Sequence, residues 1–587
     1  MNALGIHPEK ESNQDILGRV RTYFLNKYYY SSRVRRADMK ADLIVKNAKI
    51  YTADKEHPLA TALVVKNGKF AYAGDEAGLE GFEGEVRDLG GRFIMPGIVD
   101  SHVHVTTGVG FEYAELGLRF EPDGKQAALD FMESYIKEHP GQKRYRFLIE
   151  RKYLHGEDIF MAELDAICPD AELVLLEDEI HSNWANSKVY ELHGITDDTP
   201  DPVPGLAYYV RKDGHLTGNS FESASWVFIF DSLVNITDEQ IDAALDRWID
   251  YCKDTGVSAV FDAGWPMHNH IHEKVYARLR EYDRQGKLPI YIDGCYVLSI
   301  PAKKDEALAE LERFHREFDT EHLKVHTLKI FMDGTMKIET AAQVTPYVDT
   351  GKLGYTAFEA PELSEIIVKL NEMGFDLHTH CVGERASRVV LDAVELACKE
   401  LGDAFHVKVT CAHLEIQDDA DLPRFAELGV IANFTPWWHS SDPALNAPII
   451  GERAYKQLRC KTLWDSGALV TWSSDEVFYE DFTTWNPYLG MEIGMTRWAN
   501  EKTRSLAFAK FDAEYPPAEE KMSIEEMLQG YTINGAIQLG VEDKKGSIEA
   551  GKDADFLVFD NDLLTAEKHG FSHNKPAEVY FGGKKMN

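Results

Sequence analysis

The residues best suited to chemistry in this chain are histidines spaced two apart. Ile94-Met95-Pro96-Gly97-Ile98-Val99-Asp100-Ser101-His102-Val103-His104 is an apolar run that closes on His-x-His. In an extended strand, residues two apart point to the same side. His102 and His104 can therefore aim two imidazoles at one point, which is what a metal ion needs. Imidazole suits zinc, copper, iron and nickel. Alone, the pair fits two strand-end histidines bonded to their neighbours equally well. Other apolar runs end in the same manner. Lys329 leads into Asp333-Gly334, His378-Thr379-His380 closes another run, Cys411-Ala412-His413 the next, and Ser473-Ser474-Asp475 one more.

The elements that must position these groups follow from the spacing of apolar residues. Runs at 257–262, 289–297, 328–332, 375–380, 407–412, 430–434 and 468–473 read as short buried strands. Stretches at 238–255, 304–318, 360–373, 384–401 and 420–428 between them carry helical periodicity. Strand–helix alternation implies a parallel sheet, and at this length an eight-fold barrel is the leading form. In such a barrel the carboxyl ends of the strands meet on one face, where the active site sits. Strand ends supplying His, His, Lys, His, His and Asp in chain order are hard to obtain without chemistry. The stretch from about 107 to 235 lacks this rhythm and reads as the main insertion into a barrel spanning 95–540.

The two ends read differently. Residues 42–51 and 62–74 are strand-like, with Asn67-Gly68 as a hairpin turn signal. Residues 546–560 read the same way. Neither end has enough strands to bury a core alone. They are expected to pair into one small β-sandwich, 39–94 with 541–587, with the barrel folded between them. Residues 1–38 look like an appendage, with a helix over 16–30 followed by the basic Arg33-Val34-Arg35-Arg36.

Composition narrows the function classes. The chain has 587 residues and a formal net charge of −35. That charge opposes nucleic acid and anionic membranes as partners. Seven scattered cysteines, none in a C-x-x-C pair, fit a reducing compartment. With no signal-like start and no membrane-length apolar run, a cytoplasmic protein is expected.

At this point the chain resembles the amidohydrolase superfamily, and more narrowly the amidohydrolase-3 branch that includes N-substituted formamide deformylase. The resemblance rests on MPGIVDSHVHV, LKIFMDGTM at 328–336, HCVGERA at 380–386, CAHLE at 411–415, WSSDE at 472–476 and the segment 531–560. It implies a distorted (β/α)8 barrel, or TIM barrel, with a composite β-sandwich from both chain ends. It implies His102 and His104 as ligands of the more buried metal, and His380 and His413 as ligands of a second. It implies Lys329 as a lysine that carbamylation turns into a bridging ligand. Lys324 and Lys337 compete on position, but only Lys329 directly precedes Ile-Phe-Met-Asp-Gly. Asp475 would orient the attacking water and shuttle its proton. His378 takes a supporting position behind the ligands. His181 matches a histidine that faces the substrate in this branch, with Trp184 and Asn186 beside it, although Glu179-Ile180 replaces the usual Asp-Gly. His439 is expected to polarise the scissile carbonyl or bind substrate. Trp437, Trp438 and Asp333 are further expected substrate contacts.

The expected reaction is hydrolysis of an amide-type C–N bond, such as an N-formyl or N-acyl amine, in a small molecule. One or two divalent ions, zinc first among them, are the expected cofactors, and a homodimer is the expected assembly. A cyclic-amide hydrolase, an aminohydrolase (deaminase), an esterase and a non-catalytic metal-binding scaffold remain open alternatives.

Overall fold

The computed structural model describes residues 39–113, 117–177, 181–222, 224–226, 236–265, 269–477, 484–499 and 513–587. The expected appendage over 1–38 lies outside the described residues, as do Glu179 and Ile180.

The barrel is an eight-stranded sheet in strict chain order. Its strands are β1 (Ile98–Val103), β2 (Val257–Asp262), β3 (Tyr291–Leu298), β4 (Leu323–Phe331), β5 (Asp376–Cys381), β6 (Val409–His413), β7 (Ile431–Phe434) and β8 (Val470–Trp472). Neighbours run parallel throughout. The first and last strands are tied by single bonds. Asp475 N–H donates to His102 O at 2.9 Å, and His104 N–H donates to Glu476 O at 3.0 Å. The seam where the barrel closes thus joins the segments that carry His102, His104 and Asp475.

Helices α1 (Asp238–Thr255), α2 (Asn269–Arg284), α3 (Lys304–Phe318), α4 (Ala360–Met373), α5 (Glu384–Leu401) and α6 (Leu422–Leu428) cover the outside. The caps explain their ends. Thr237 and Gln240 form a capping box at the start of α1. Gly256, at φ +85°, stops α1 and lets β2 begin at once. In α5, Ala386, Val389, Val390, Ala393, Val394 and Ala397 are buried, a helical stripe laid on the barrel. Among the described residues, no helix is long and apolar enough to cross a membrane.

The run expected to be one strand from Ile94 to His104 is two. Phe93–Pro96 belongs to a six-stranded sheet, where it pairs antiparallel with Phe556–Phe559. At Gly97 the chain passes into β1, and a side chain there would meet Ser258 Oγ at 2.4 Å. The two chain ends therefore share a sheet. A four-stranded sheet of Lys69–Gly74, Ala62–Lys66, Lys40–Lys46 and Glu83–Asp88 packs against it. Leu43, Leu63 and Val65 meet Ile94, Phe556 and Val558 in the core between them. Asn67 and Gly68, both at positive φ, make the expected hairpin turn.

Arg87 links the two sheets. Its guanidinium donates to Glu578 Oε2 at 2.5 Å and Oε1 at 2.8 Å. Those bonds hold the Glu578 carboxyl down to about 2. A depressed carboxyl stabilises the fold above its ordinary value of 4.5, and that contribution is lost as pH falls toward about 2. Arg87→Met is expected to cost about 1–3 kcal/mol at neutral pH. Thermal unfolding followed against pH should show the wild type losing its advantage over the variant between those limits.

The expected insertion is a separate six-stranded sheet. Its order is Tyr208–Lys212, His215–Phe221, Ser182–Ala185, Glu172–Glu177, Arg144–Ile149 and Leu118–Arg119. One face, with Leu176 and Trp226, packs on Trp265 and Val477 from loops that follow β2 and β8. That contact sets the insertion over the carboxyl end of the barrel.

Candidate metal centre

The Asp475 carboxylate is the hub of the site. Its Oδ1 lies 3.2 Å from His102 Nε2 and 3.2 Å from His104 Nε2. Its Oδ2 lies 3.4 Å from His413 Nδ1. His102, His413 and Asp475 offer ligand atoms that all fall within 4.8 Å of one another. Lys329 Nζ is 3.4 Å from His102 Nε2. The His380 ring lies 4.4 Å from the His413 ring between centroids. The structure thus brings together His102, His104, Lys329, His380, His413 and Asp475 at the carboxyl ends of β1, β4, β5, β6 and β8.

A second layer fixes which nitrogen faces inward. His102 Nδ1 is 2.9 Å from His378 Nε2, so Nε2 of His102 turns to Asp475. His104 Nδ1 is bonded to the Gly264 carbonyl, which leaves Nε2 on the same centre. His380 Nε2 donates to the Gly334 carbonyl at 3.2 Å. His378 is itself held by stacking on Phe261, 4.3 Å between centroids at 20°. Such partners orient ligating histidines and set their tautomer. His378→Ala should therefore weaken metal binding by about 10–100-fold, measured by competition with a chromogenic chelator.

Backbone and electrostatics carry the same signature. His413 and Asp475 sit at φ +77° and +54°, a region sparsely populated by residues other than glycine and entered most readily among them by Asn and Asp. Conformations of this kind gather where a side chain must be aimed. Burial, reinforced by the Lys329 ammonium, pushes the imidazoles of His102, His378 and His380 well below their ordinary range. Burial and then His380 do the same to His413. Neutral imidazole is the form that binds a metal. Burial brings Lys329 down to about 8.

The donor set fits a divalent ion. His413 is buried, yet among the described residues neither of its ring nitrogens has a hydrogen-bond partner. Buried polar atoms are seldom left in that condition. A cation held by His413, His102, His104 and Asp475 would satisfy them.

Some expected site residues lie elsewhere. The 3₁₀ turn Pro436–Ser440 points Trp438 and His439 in different directions. Trp438 stacks on His413 at 5.5 Å and 16°. His439 instead packs against Phe434 and Trp472, with Nδ1 3.8 Å from Cys460 Sγ, so it does not face a substrate at the centre. Trp437 donates its indole N–H to Ser474 O at 2.7 Å and packs on Leu489 and Ile493. It supports the Asp475 segment from behind. Asp333 accepts backbone N–H groups of Ala342, Val382 and Gly383 at 2.8–2.9 Å, which commits its carboxylate to shaping loops. Asn186 caps a short helix by accepting from Val189 N, and its amide donates to Cys168 O and Ala171 O. Trp184 is fully buried in the insertion's core, under the Arg151 guanidinium.

His181 does reach the centre, with its ring 6.4 Å from that of His380. It brings a partner that the sequence reading missed. Glu222 Oε2 is 2.7 Å from His181 Nδ1. The two are 41 residues apart, and no local pattern links them. Trp265, also missed, meets His104 edge-on at 5.5 Å.

Comparison with known proteins agrees with this architecture. Residues 85–586 match the amidohydrolase family. The exoenzymes regulatory protein AepA of Pectobacterium carotovorum subsp. carotovorum is 26% identical over 418 residues, 68% of this chain and 86% of that one. N-substituted formamide deformylase of Arthrobacter pascens is 26% identical over 560 residues, 89% of this chain and 94% of that one. A crystal structure of an uncharacterized metal-dependent hydrolase from Pyrococcus horikoshii has the same fold, with a TM-score of 0.64 at 23% identity, covering 90% of this chain and 99% of that one. Because the family match runs from the sandwich through the whole barrel and takes in every strand end that carries a ligand-type side chain, the chain belongs to the amidohydrolase family and is a metal-dependent hydrolase.

Proposed function

We propose that the protein hydrolyses an amide-type C–N bond of a small molecule, an N-formyl or N-acyl amine in the first instance. The observation that carries this reading is the Asp475 carboxylate, set between His102, His104 and His413 at 3.2–3.4 Å. His102, His104, His380 and His413 would hold one or two divalent ions, zinc by the chemistry of the donor set. When bound, the ion supplies Lewis acidity and a water whose pKa is lowered to about 7. Asp475 would take the proton of the attacking water as the water oxygen adds to the carbonyl. The same carboxyl then returns the proton to the leaving nitrogen, so one residue serves as base and acid in turn. Trp438 and Trp265 flank His413 and His104 and keep bulk water from those rings.

Lys329 has a second part in this reading. A protonated amine cannot ligate a cation, whereas a carbamate offers anionic oxygens. Burial that brings the amine down to about 8 leaves a share of it unprotonated near neutral pH, the form that reacts with carbon dioxide. A hydrolytic deaminase on the same scaffold is the second reading. The tight His102–His413–Asp475 group, sufficient for one ion, is what favours it.

Metal analysis coupled to a product-detected screen of N-formyl and N-acyl amines tests the choice. Amine release with two ions per chain and a carbon dioxide adduct on Lys329 supports the amide hydrolase. Ammonia release from amino-heterocycles with one ion and unmodified Lys329 supports the deaminase.

A further inference from the structure

We propose that His272 is a positioning residue for the metal ligand His104, and that it acts through one peptide unit, the one joining Gly264 to Trp265. The inference rests on the reading of His104 as a ligand and adds a residue behind it.

The two histidines grip opposite edges of that peptide. Trp265 N–H donates to His272 Nε2 at 3.1 Å. His104 Nδ1 donates to the Gly264 carbonyl, the other polar group of the same unit. The peptide is trans, hence planar with N–H and C=O pointing opposite ways, so fixing one edge fixes the other. A backbone N–H can only donate, so Nε2 of His272 is the bare nitrogen. A carbonyl can only accept, so Nδ1 of His104 carries a proton and Nε2 is left for the centre. There Nε2 lies 3.2 Å from Asp475 Oδ1.

The surroundings hold this peptide in place. β2 ends at Asp262, and the chain turns at Gly264, at φ +60°, which glycine enters at little cost. A Cβ at 264 would meet His272 Cε1 at 2.8 Å and Cys295 Sγ at 3.0 Å, so the imidazole lies directly against the turn. His272 is fully buried on α2, and Tyr276, one turn further along, holds the strand ends. The Tyr276 hydroxyl donates to Asp262 Oδ2 at 2.8 Å and accepts the Cys295 N–H at 3.0 Å. Asp262 Oδ1 accepts the Thr106 N–H at 3.2 Å, two residues beyond His104. One face of α2 thus steadies the end of β2, the turn after it and the backbone that follows His104.

The fixed carbonyl sets the direction of His104 Nδ1, and with it the plane of the ring. Hydrogen bonds in a chain also polarise one another. An acceptor on the amide N–H makes the carbonyl a stronger acceptor, and a firmly held Nδ1–H makes Nε2 a better ligand. Trp265 belongs to the same peptide and meets His104 edge-on at 5.5 Å, so loosening the peptide also loosens that wall of the ring.

The test measures the zinc affinity of the whole chain by competition with a chromogenic chelator, in the wild-type and His104→Ala backgrounds. His272→Leu keeps much of the volume but offers no acceptor, and should weaken zinc binding by about 10-fold, the low end for a group behind a ligand. His272→Gln offers an amide oxygen to the Trp265 N–H and should stay within about 3-fold of the wild type. In His104→Ala the peptide has no ligand left to aim, so adding His272→Leu should cost less than about 2-fold more, within the error of additivity. His272→Met, whose adaptable side chain fills the same space, stands in if His272→Leu does not fold. An equal loss in both backgrounds marks a merely structural role and overturns the assignment, as does undiminished affinity in folded His272→Leu or His272→Met. A wild type that binds no zinc, or a His104→Ala protein that binds it as tightly as the wild type, overturns the reading of the centre and this inference with it.

Discussion

Asp475→Asn is expected to lower kcat by about 1000-fold while leaving metal content near that of the wild type. General acid–base catalysis by a positioned group is worth about 10²–10⁴ in rate. Asn keeps the shape and one carbonyl oxygen, but it cannot accept the proton of the attacking water or deliver one to the leaving nitrogen. The fold should tolerate the change. Asp475 sits at φ +54°, and Asn is among the few residues that enter this region readily. Its backbone N–H bond to His102 O, which helps close the barrel, is untouched. Metal content by atomic absorption, with turnover measured on the same sample, checks both halves. Full activity in the variant would refute the role.

The second large effect is expected on stripping the metal. Chelation should abolish turnover and lower stability by about 4 kcal/mol relative to protein with free metal at about 1000 times its dissociation constant. The reason lies in the buried rings. Burial pushes the imidazoles of His102, His378, His380 and His413 well below their ordinary range, and among the described residues His413 has no hydrogen-bond partner. Without a cation, the desolvated nitrogens lose their compensation. In His102→Ala the melting temperature should cease to respond to added zinc. A wild-type melting temperature indifferent to chelation would contradict the assignment.

The ligand-type residues were legible because strand geometry has a period of two and each lies at the end of an apolar run. His-x-His at 102–104 and the endings at His380, His413 and Asp475 needed no tertiary information beyond strand direction. The barrel order followed from the same alternation. What escaped depends on local turns and distant partners. Gly97 splits one apolar run between two sheets, because two different neighbours, Phe556–Phe559 and β2, compete for it. Trp438 and His439 are adjacent, so a single 3₁₀ turn decides which of them faces the centre. Asn186 before Ser187 carried a helix-cap signal that a substrate role obscured. The contact of Glu222 with His181 depends on φ +60° and on a partner 41 residues away, and neither leaves a trace in the sequence.

Everything said of the chemistry requires a cation among residues contributed by opposite ends of the barrel sheet. Anomalous diffraction at the zinc edge from crystals of the purified protein locates it directly. The account predicts a peak within bonding distance of His102, His104, His413 and Asp475. A peak elsewhere in the molecule, or none from protein prepared with zinc in the medium, would contradict it.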